Sequence, residues 1–160
     1  MGRTARGVRG IRMADDDRVI GMEIPTEGNT ILTVSEKGYG KRTEIAEYRL
    51  QTRGGKGTIN LKTVPKVGDV SGILQISGSE DIVLISDSGR IIRMRAEEVR
   101  VIHRSTQGVR LIDLDDNEKL VGVARAEREE ERENDSDELQ EETELELAPE
   151  IGPAEDGEEQ

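Results

Sequence analysis

The chain has 160 residues, 35 acidic and 23 basic, with a formal charge of -12. It contains no Cys, Phe or Trp, and Tyr39 and Tyr48 are its only aromatic residues. This excludes disulfide scaffolds, thiolate zinc sites, cysteine nucleophiles and an aromatic platform for stacking bases. Short aliphatic segments bounded by turn residues predict strands at 7–13, 18–24, 30–35, 39–44, 57–62, 69–77, 81–86, 90–95, 108–113 and 119–124. Glu36-Lys37-Gly38 and Asp87-Ser88-Gly89 lie between such segments, where glycine supplies the positive φ of a hairpin turn. From Glu127 onward the chain is rich in Glu with few apolar residues. That composition cannot bury enough surface to offset ordering entropy, so residues 125–160 are expected to be a disordered acidic tail after a body at 1–124.

The charge divides at the same place. Residues 125–160 hold 17 acidic side chains and three arginines, leaving 20 bases and 18 acids in residues 1–124. The average therefore describes neither part, and a duplex DNA partner is compatible with the body.

An internal repeat organises that body. Arg3-Thr4-Ala5-Arg6-Gly7-Val8-Arg9-Gly10-Ile11-Arg12 aligns with Arg53-Gly54-Gly55-Lys56-Gly57-Thr58-Ile59-Asn60-Leu61-Lys62, and again with Arg104 to Asp113. Val19-Ile20-Gly21-Met22 recurs as Val70-Ser71-Gly72-Ile73 and as Leu120-Val121-Gly122-Val123. Thr30 to Gly38 recurs as Asp81 to Gly89. Four strands in about 50 residues make one propeller-type blade. The expected fold is all-β, about two and a half blades, with edges left open.

Arg53-Gly54-Gly55-Lys56-Gly57 is the most specific short element. Its glycines allow backbone N–H groups to converge on an anion, with Arg53 and Lys56 adding charge at that point. An ordinary blade-entry turn would need the same glycines. The repeat brings Arg6 and Arg9, Arg53 and Lys56, and Arg104 and Arg110 to matching positions, with Lys41, Arg42, Arg90, Arg93 and Arg95 from the hairpins. A curved basic stripe of this kind suits binding of the duplex backbone with little base readout.

Other motifs carry no chemistry. Asp113-Leu114-Asp115-Asp116-Asn117 begins like a calcium loop, but Glu118 replaces the sixth-position glycine and Ala124 the twelfth-position glutamate. His103 is the only histidine, and no nucleophile elbow or phosphate-binding G-x-x-x-x-G-K-[ST] sequence is present. No apolar run approaches the roughly 20 residues that span a bilayer, and Met1 to Arg6 lacks the apolar stretch of a signal peptide.

Gln51-Thr52-Arg53-Gly54-Gly55-Lys56-Gly57 resembles the gyrase box of the DNA gyrase A C-terminal domain family, with Thr52 where that box is usually basic. Gly7-Val8-Arg9-Gly10-Ile11-Arg12, Asn29-Thr30-Ile31-Leu32, Gly38-Tyr39-Gly40-Lys41-Arg42-Thr43, Ala46-Glu47-Tyr48 and Thr106-Gln107-Gly108-Val109 are similar to late-repeat motifs of the same family. The resemblance covers roughly residues 3–124 and implies a partial β-pinwheel, a propeller-like disc whose rim wraps duplex DNA. The family's principal box lies in its first blade, which makes Gln51–Gly57 a box-like copy in a late blade.

The resemblance further implies a contribution to ATP-dependent negative supercoiling by a type II topoisomerase, an isomerase, in a cytoplasmic, chromosome-associated setting. The partners it implies are double-stranded DNA, the remainder of the gyrase A subunit, and the gyrase B subunit in an A2B2 assembly. ATP and Mg would belong to other parts of that assembly, and no catalytic residue carries over to this chain. Met1 is then expected to be an internal methionine of a longer polypeptide. The expected DNA-facing residues are Arg9, Arg12, Lys41, Arg42, Arg53, Gly54, Gly55, Lys56, Gly57, Arg93 and Arg110, with the acidic tail competing for them. Two other readings stand beside this one: a C-terminal domain of the topoisomerase IV A subunit, and a non-enzymatic β-repeat interaction module with an acidic tail.

Overall fold

A computed structural model describes residues 2–128, so the expected disorder of the acidic tail from 129 onward lies outside the described residues. The fold is all-β. Two antiparallel hairpins form its centre: β1 (Thr30–Ser35) with β2 (Tyr39–Glu44), and β4 (Asp81–Ser86) with β5 (Ile91–Arg95). Gly38 and Gly89 take φ of 75° and 86° at the two turns, as the turn sequences predict. A single 3-10 turn follows each hairpin, at Ile45–Glu47 and Ala96–Glu98.

Each hairpin is completed by a strand from the following repeat. β3 (Val70–Ile76) pairs antiparallel with β1, and β7 (Leu120–Ala126) pairs antiparallel with β4. Both pairings carry a register irregularity at the same place, between Val34 and Ser35 and between Ile85 and Ser86. The short strand β6 (Val109–Arg110) adds to the outer edge of β2. The resulting sheets have the orders β3-β1-β2-β6 and β5-β4-β7.

The strand expectations are corrected in three places. Segments 7–13 and 57–62 are not strands but make single parallel bridges, Ile11 to Gly55 and Leu61 to Thr106. Segment 18–24 has no strand assignment and leaves Val19, Met22 and Ile24 exposed. Its repeat equivalents, β3 and β7, join a hairpin that precedes them in the chain, and among the described residues no hairpin precedes 18–24. At the other end β7 runs through Ala126, so the ordered body extends past the expected boundary at 124.

The principal core gathers Leu32, Val34, Ile76, Ile82, Leu84, Ala96, Val99, Ile112 and Leu120. In β4 the alternation is regular, with Ile82 and Leu84 inward. In the first hairpin both faces are covered. Leu32 and Val34 point into the core, while Thr33, Ser35, Tyr39, Lys41 and Thr43 form a second, mostly polar buried face. Tyr48 donates from its hydroxyl to Asn60 Oδ1 (2.6 Å), and Asn60 Nδ2 donates to Thr33 Oγ1 (2.7 Å), closing a hydrogen-bonded layer over that face.

Candidate nucleic-acid interface

The box-like loop lies across the first copy of the repeat. The Gly54 N–H donates to the Gly10 carbonyl (2.7 Å) and the Arg12 N–H to the Gly55 carbonyl (2.8 Å). The parallel bridge between Ile11 and Gly55 sets Arg9 alongside Arg53 and Arg12 alongside Lys56. A Cβ on Gly54 would lie 3.7 Å from the Arg9 carbonyl oxygen. Gly54 and Gly57 take φ of 75° and 80°, so glycine is required here to turn the loop over its neighbour. The expected convergence of N–H groups on an anion is therefore corrected at Gly54, whose N–H is engaged by Gly10. The loop is a clasp between repeats that displays charge on its outer side.

Four cations meet at this crossing. Arg9, Arg12, Arg53 and Lys56 are all exposed, and none forms an ion pair among the described residues. Exposed cations without carboxylate partners on neighbouring stretches of backbone suit the backbone of a polyanion.

The same clasp recurs between the second and third copies with less charge. Leu61 bridges Thr106, and the Lys62 N–H donates to the Thr106 carbonyl (2.9 Å). Ile59 stands where the first crossing has Arg9, and Gln107 where it has Lys56. Arg104 turns inward, its Nη1 donating to the Ile59 carbonyl (3.0 Å). Lys62, the repeat mate of Arg12, is exposed and was absent from the expected site; the aligned copies carry the signal for it.

The remaining expected cations separate from this group. Lys41 is wholly buried at 0% exposure. Its Nζ donates to the His103 carbonyl (2.6 Å) and to the Arg104 carbonyl. Burial, reinforced by the neighbouring Arg104 guanidinium, pulls its ammonium down to about 8. The placement of Lys41 on the phosphate-facing rim is thus corrected: its charge is held by backbone carbonyls inside the fold. Arg42 is half-buried, and its Nε donates to the Val99 carbonyl (2.7 Å). Together with Thr43 Oγ1, which donates to the Ile102 carbonyl (3.0 Å), these side chains fasten β2 to the segment that enters the third copy. Arg93 pairs with Asp81 (2.8 Å), and Arg110 pairs with Asp113 (2.5 Å). Arg110 also donates to the Tyr39 hydroxyl (3.3 Å), which with the Lys66 ammonium 5.5 Å from the ring holds that phenol below its ordinary range.

Among the described residues no group of three or more His, Cys, Asp or Glu is placed to hold a metal ion, and no helix is long and apolar enough to cross a membrane. The former calcium-loop candidate is a structural knot. Glu118 accepts from Ser86 Oγ (2.6 Å), from Ser88 and from the Asp115 N–H (3.2 Å), and pairs with Arg90 (3.3 Å).

Repeated hairpins completed by strands from the next copy, with glycine clasps between copies, define a partial β-pinwheel of the propeller class. The sequence profile of the family described as DNA gyrase C-terminal domain, beta-propeller, matches residues 1–26, 29–77 and 80–127. The chain belongs to that family. It is 44% identical over 125 residues to the DNA gyrase A subunit of Salmonella typhimurium strain LT2, covering 78% of this chain and 14% of the relative. It is 38% identical over 162 residues to the DNA gyrase A subunit of Escherichia coli strain K12, covering 100% of this chain and 18% of the relative. The chain thus spans less than a fifth of the length of these relatives. A solved DNA gyrase A C-terminal domain superposes with a TM-score of 0.58 at 31% identity, over 61% of this chain and 33% of that one. A C-terminal domain of DNA topoisomerase IV superposes with a TM-score of 0.69 at 20% identity, over 88% of this chain and 43% of that one, a likeness of fold alone.

Proposed function

We propose that this chain binds and helps to wrap duplex DNA as part of a DNA gyrase A subunit, with the crossing of Gly7–Arg12 and Arg53–Gly57 as its principal contact. The observation that carries this reading is the group of four exposed cations, Arg9, Arg12, Arg53 and Lys56, without ion-pair partners among the described residues. Such a group neutralises phosphates without reading bases. Membership of the gyrase family supports this reading of the reaction. The chain would hold a bent segment of DNA while a type II topoisomerase passes strands in the cytoplasm on the chromosome. Cleavage, ATP hydrolysis and Mg binding fall to the remainder of the gyrase A subunit, together with the gyrase B subunit, in an A2B2 assembly.

The sequence from 129 to 160, with 16 acidic residues and one arginine, is proposed to compete with DNA for the crossing.

The test uses a complete gyrase A polypeptide that contains this chain. Nicked circular DNA is sealed in its presence, and the linking number is compared with that of DNA sealed alone. A shift of one sign that is reduced when Arg9, Arg12, Arg53 and Lys56 are all changed to Ala supports wrapping at the crossing. An unchanged shift in that variant contradicts it. A topoisomerase IV reading predicts duplex binding with little shift, and an interaction module predicts no duplex binding at all.

A further inference from the structure

We infer that the duplex runs on from the first crossing to the second, where Lys62 holds it and where Ile59 and Gln107 limit the strength of the hold. The inference rests on the wrapping reading above and carries it to residues outside the first crossing. One stretch of chain, Arg53 to Lys62, serves both crossings. Its first part meets the first copy through the bridge of Ile11 to Gly55, and its end meets the third copy through the bridge of Leu61 to Thr106. Such a stretch spans at most about 22 Å between Lys56 and Lys62. That length of duplex axis carries about a dozen phosphates. DNA is stiff over so short a distance, so a duplex that follows the repeats from the first crossing passes the second.

The two crossings share a backbone geometry and differ in side chains. The Arg12 N–H donates to the Gly55 carbonyl (2.8 Å) and the Lys62 N–H to the Thr106 carbonyl (2.9 Å), each beside a parallel bridge. Lys62 therefore occupies the place of Arg12. It is likewise exposed, with no ion pair among the described residues. The other three places carry no outward charge. Ile59, 63% exposed, stands for Arg9, and exposed Gln107 stands for Lys56. Arg104 stands for Arg53, but its Nη1 donates to the Ile59 carbonyl (3.0 Å) and its Nε is buried. One outward cation in place of four makes a contact of the same kind with about a quarter of the phosphate neutralisation. Because Ile59 and Gln107 are exposed, a cation at either place would meet a phosphate without first being buried.

The test measures duplex binding by the 160-residue chain as the slope of log binding constant against log salt. Lys62→Ala should lower the slope by about 0.9, and Ile59→Arg with Gln107→Lys should raise it by about 1.8. Ile91→Arg is the control for net charge, since Ile91 is 66% exposed and lies on β5, outside both crossings. It should leave the slope nearly unchanged. Melting curves of these variants should match the parent's, because each changes an exposed side chain. In a complete gyrase A polypeptide that contains this chain, the linking-number shift should fall with Lys62→Ala and grow with Ile59→Arg and Gln107→Lys together. A slope that ignores Lys62→Ala, or that rises as much with Ile91→Arg as with Ile59→Arg alone, overturns the inference. If changing Arg9, Arg12, Arg53 and Lys56 together to Ala still lowers the slope in that event, the first crossing stands as the contact. If that change also leaves the slope as it was, the wrapping reading falls too.

Discussion

Lys41 shows how one residue's role depends on which face of a strand it occupies. Its partner across the hairpin is Thr33, and both lie on the face that the connecting segments cover. A buried ammonium needs acceptors, and the carbonyls of His103 and Arg104 provide them. Lys41→Ala leaves those carbonyls without their donor and should destabilise the fold by about 3 kcal/mol, measured by denaturant titration. The salt dependence of DNA binding by the folded protein should not change. Glu118 makes the matching case for a carboxylate. Hydrogen bonds from Ser86 and Ser88, with help from Arg90, hold it at about 2, well below its ordinary 4.5. The unfolded chain therefore takes up this proton first as pH falls, and the stability Glu118 contributes is lost between about 4.5 and about 2. Thermal melts across that window should drop less steeply in Glu118→Gln than in the parent.

At the scale of elements, the hairpins and their turns were legible in the sequence. Alternating aliphatic residues and a glycine at each turn are local signals, and β1, β2, β4 and β5 fall within a residue of their expected bounds. The segments at 7–13, 18–24 and 57–62 carry the same aliphatic character, yet a strand needs a neighbour as well as a pattern. Two of them find a single bridge and the third finds none. The candidate site was legible to the same degree. The expected DNA-facing residues included Arg9, Arg12, Arg53 and Lys56, but repeat alignment matches Arg53 with Arg3 and Lys56 with Arg6. The parallel bridge of Ile11 to Gly55 is what sets Arg9 and Arg12 beside them. Lys41 was misplaced because its burial depends on a segment some sixty residues away. Glycine spacing marked the clasp but did not show that the Gly54 N–H would be taken up by Gly10. The packing of β3 against β7, where Gly72 faces Val123, gives a further check on how elements meet. Gly72→Val must push against Val123 and should cost about 2 kcal/mol by denaturant titration, while Gly122→Val should be close to neutral.

For the whole molecule, the formal charge of -12 conceals a body with a small excess of bases. Within the body the cations differ by repeat. Those of the last hairpin and its turn, Arg90, Arg93 and Arg95, and Arg110 of β6 are paired with carboxylates, whereas those of the first crossing have no such pair among the described residues. Because β7 extends through Ala126, removal of residues 129–160 takes away a net charge of −15 without cutting a strand. This deletion should tighten duplex binding at low salt, with the difference shrinking as salt screens it. Equal affinity of the parent and the shortened chain would assign the acidic segment no part in binding.

The most direct measurement is the slope of log binding constant against log salt for a duplex of arbitrary sequence, taken on the chain ending at Arg128. Each phosphate neutralised contributes about 0.9 to that slope. Changing Arg9, Arg12, Arg53 and Lys56 together to Ala should lower it by about 3 to 4, while Arg93→Ala with Arg110→Ala should leave it nearly unchanged. A slope that falls with the paired arginines and not with the four unpaired cations would contradict the assignment of the crossing as the DNA contact.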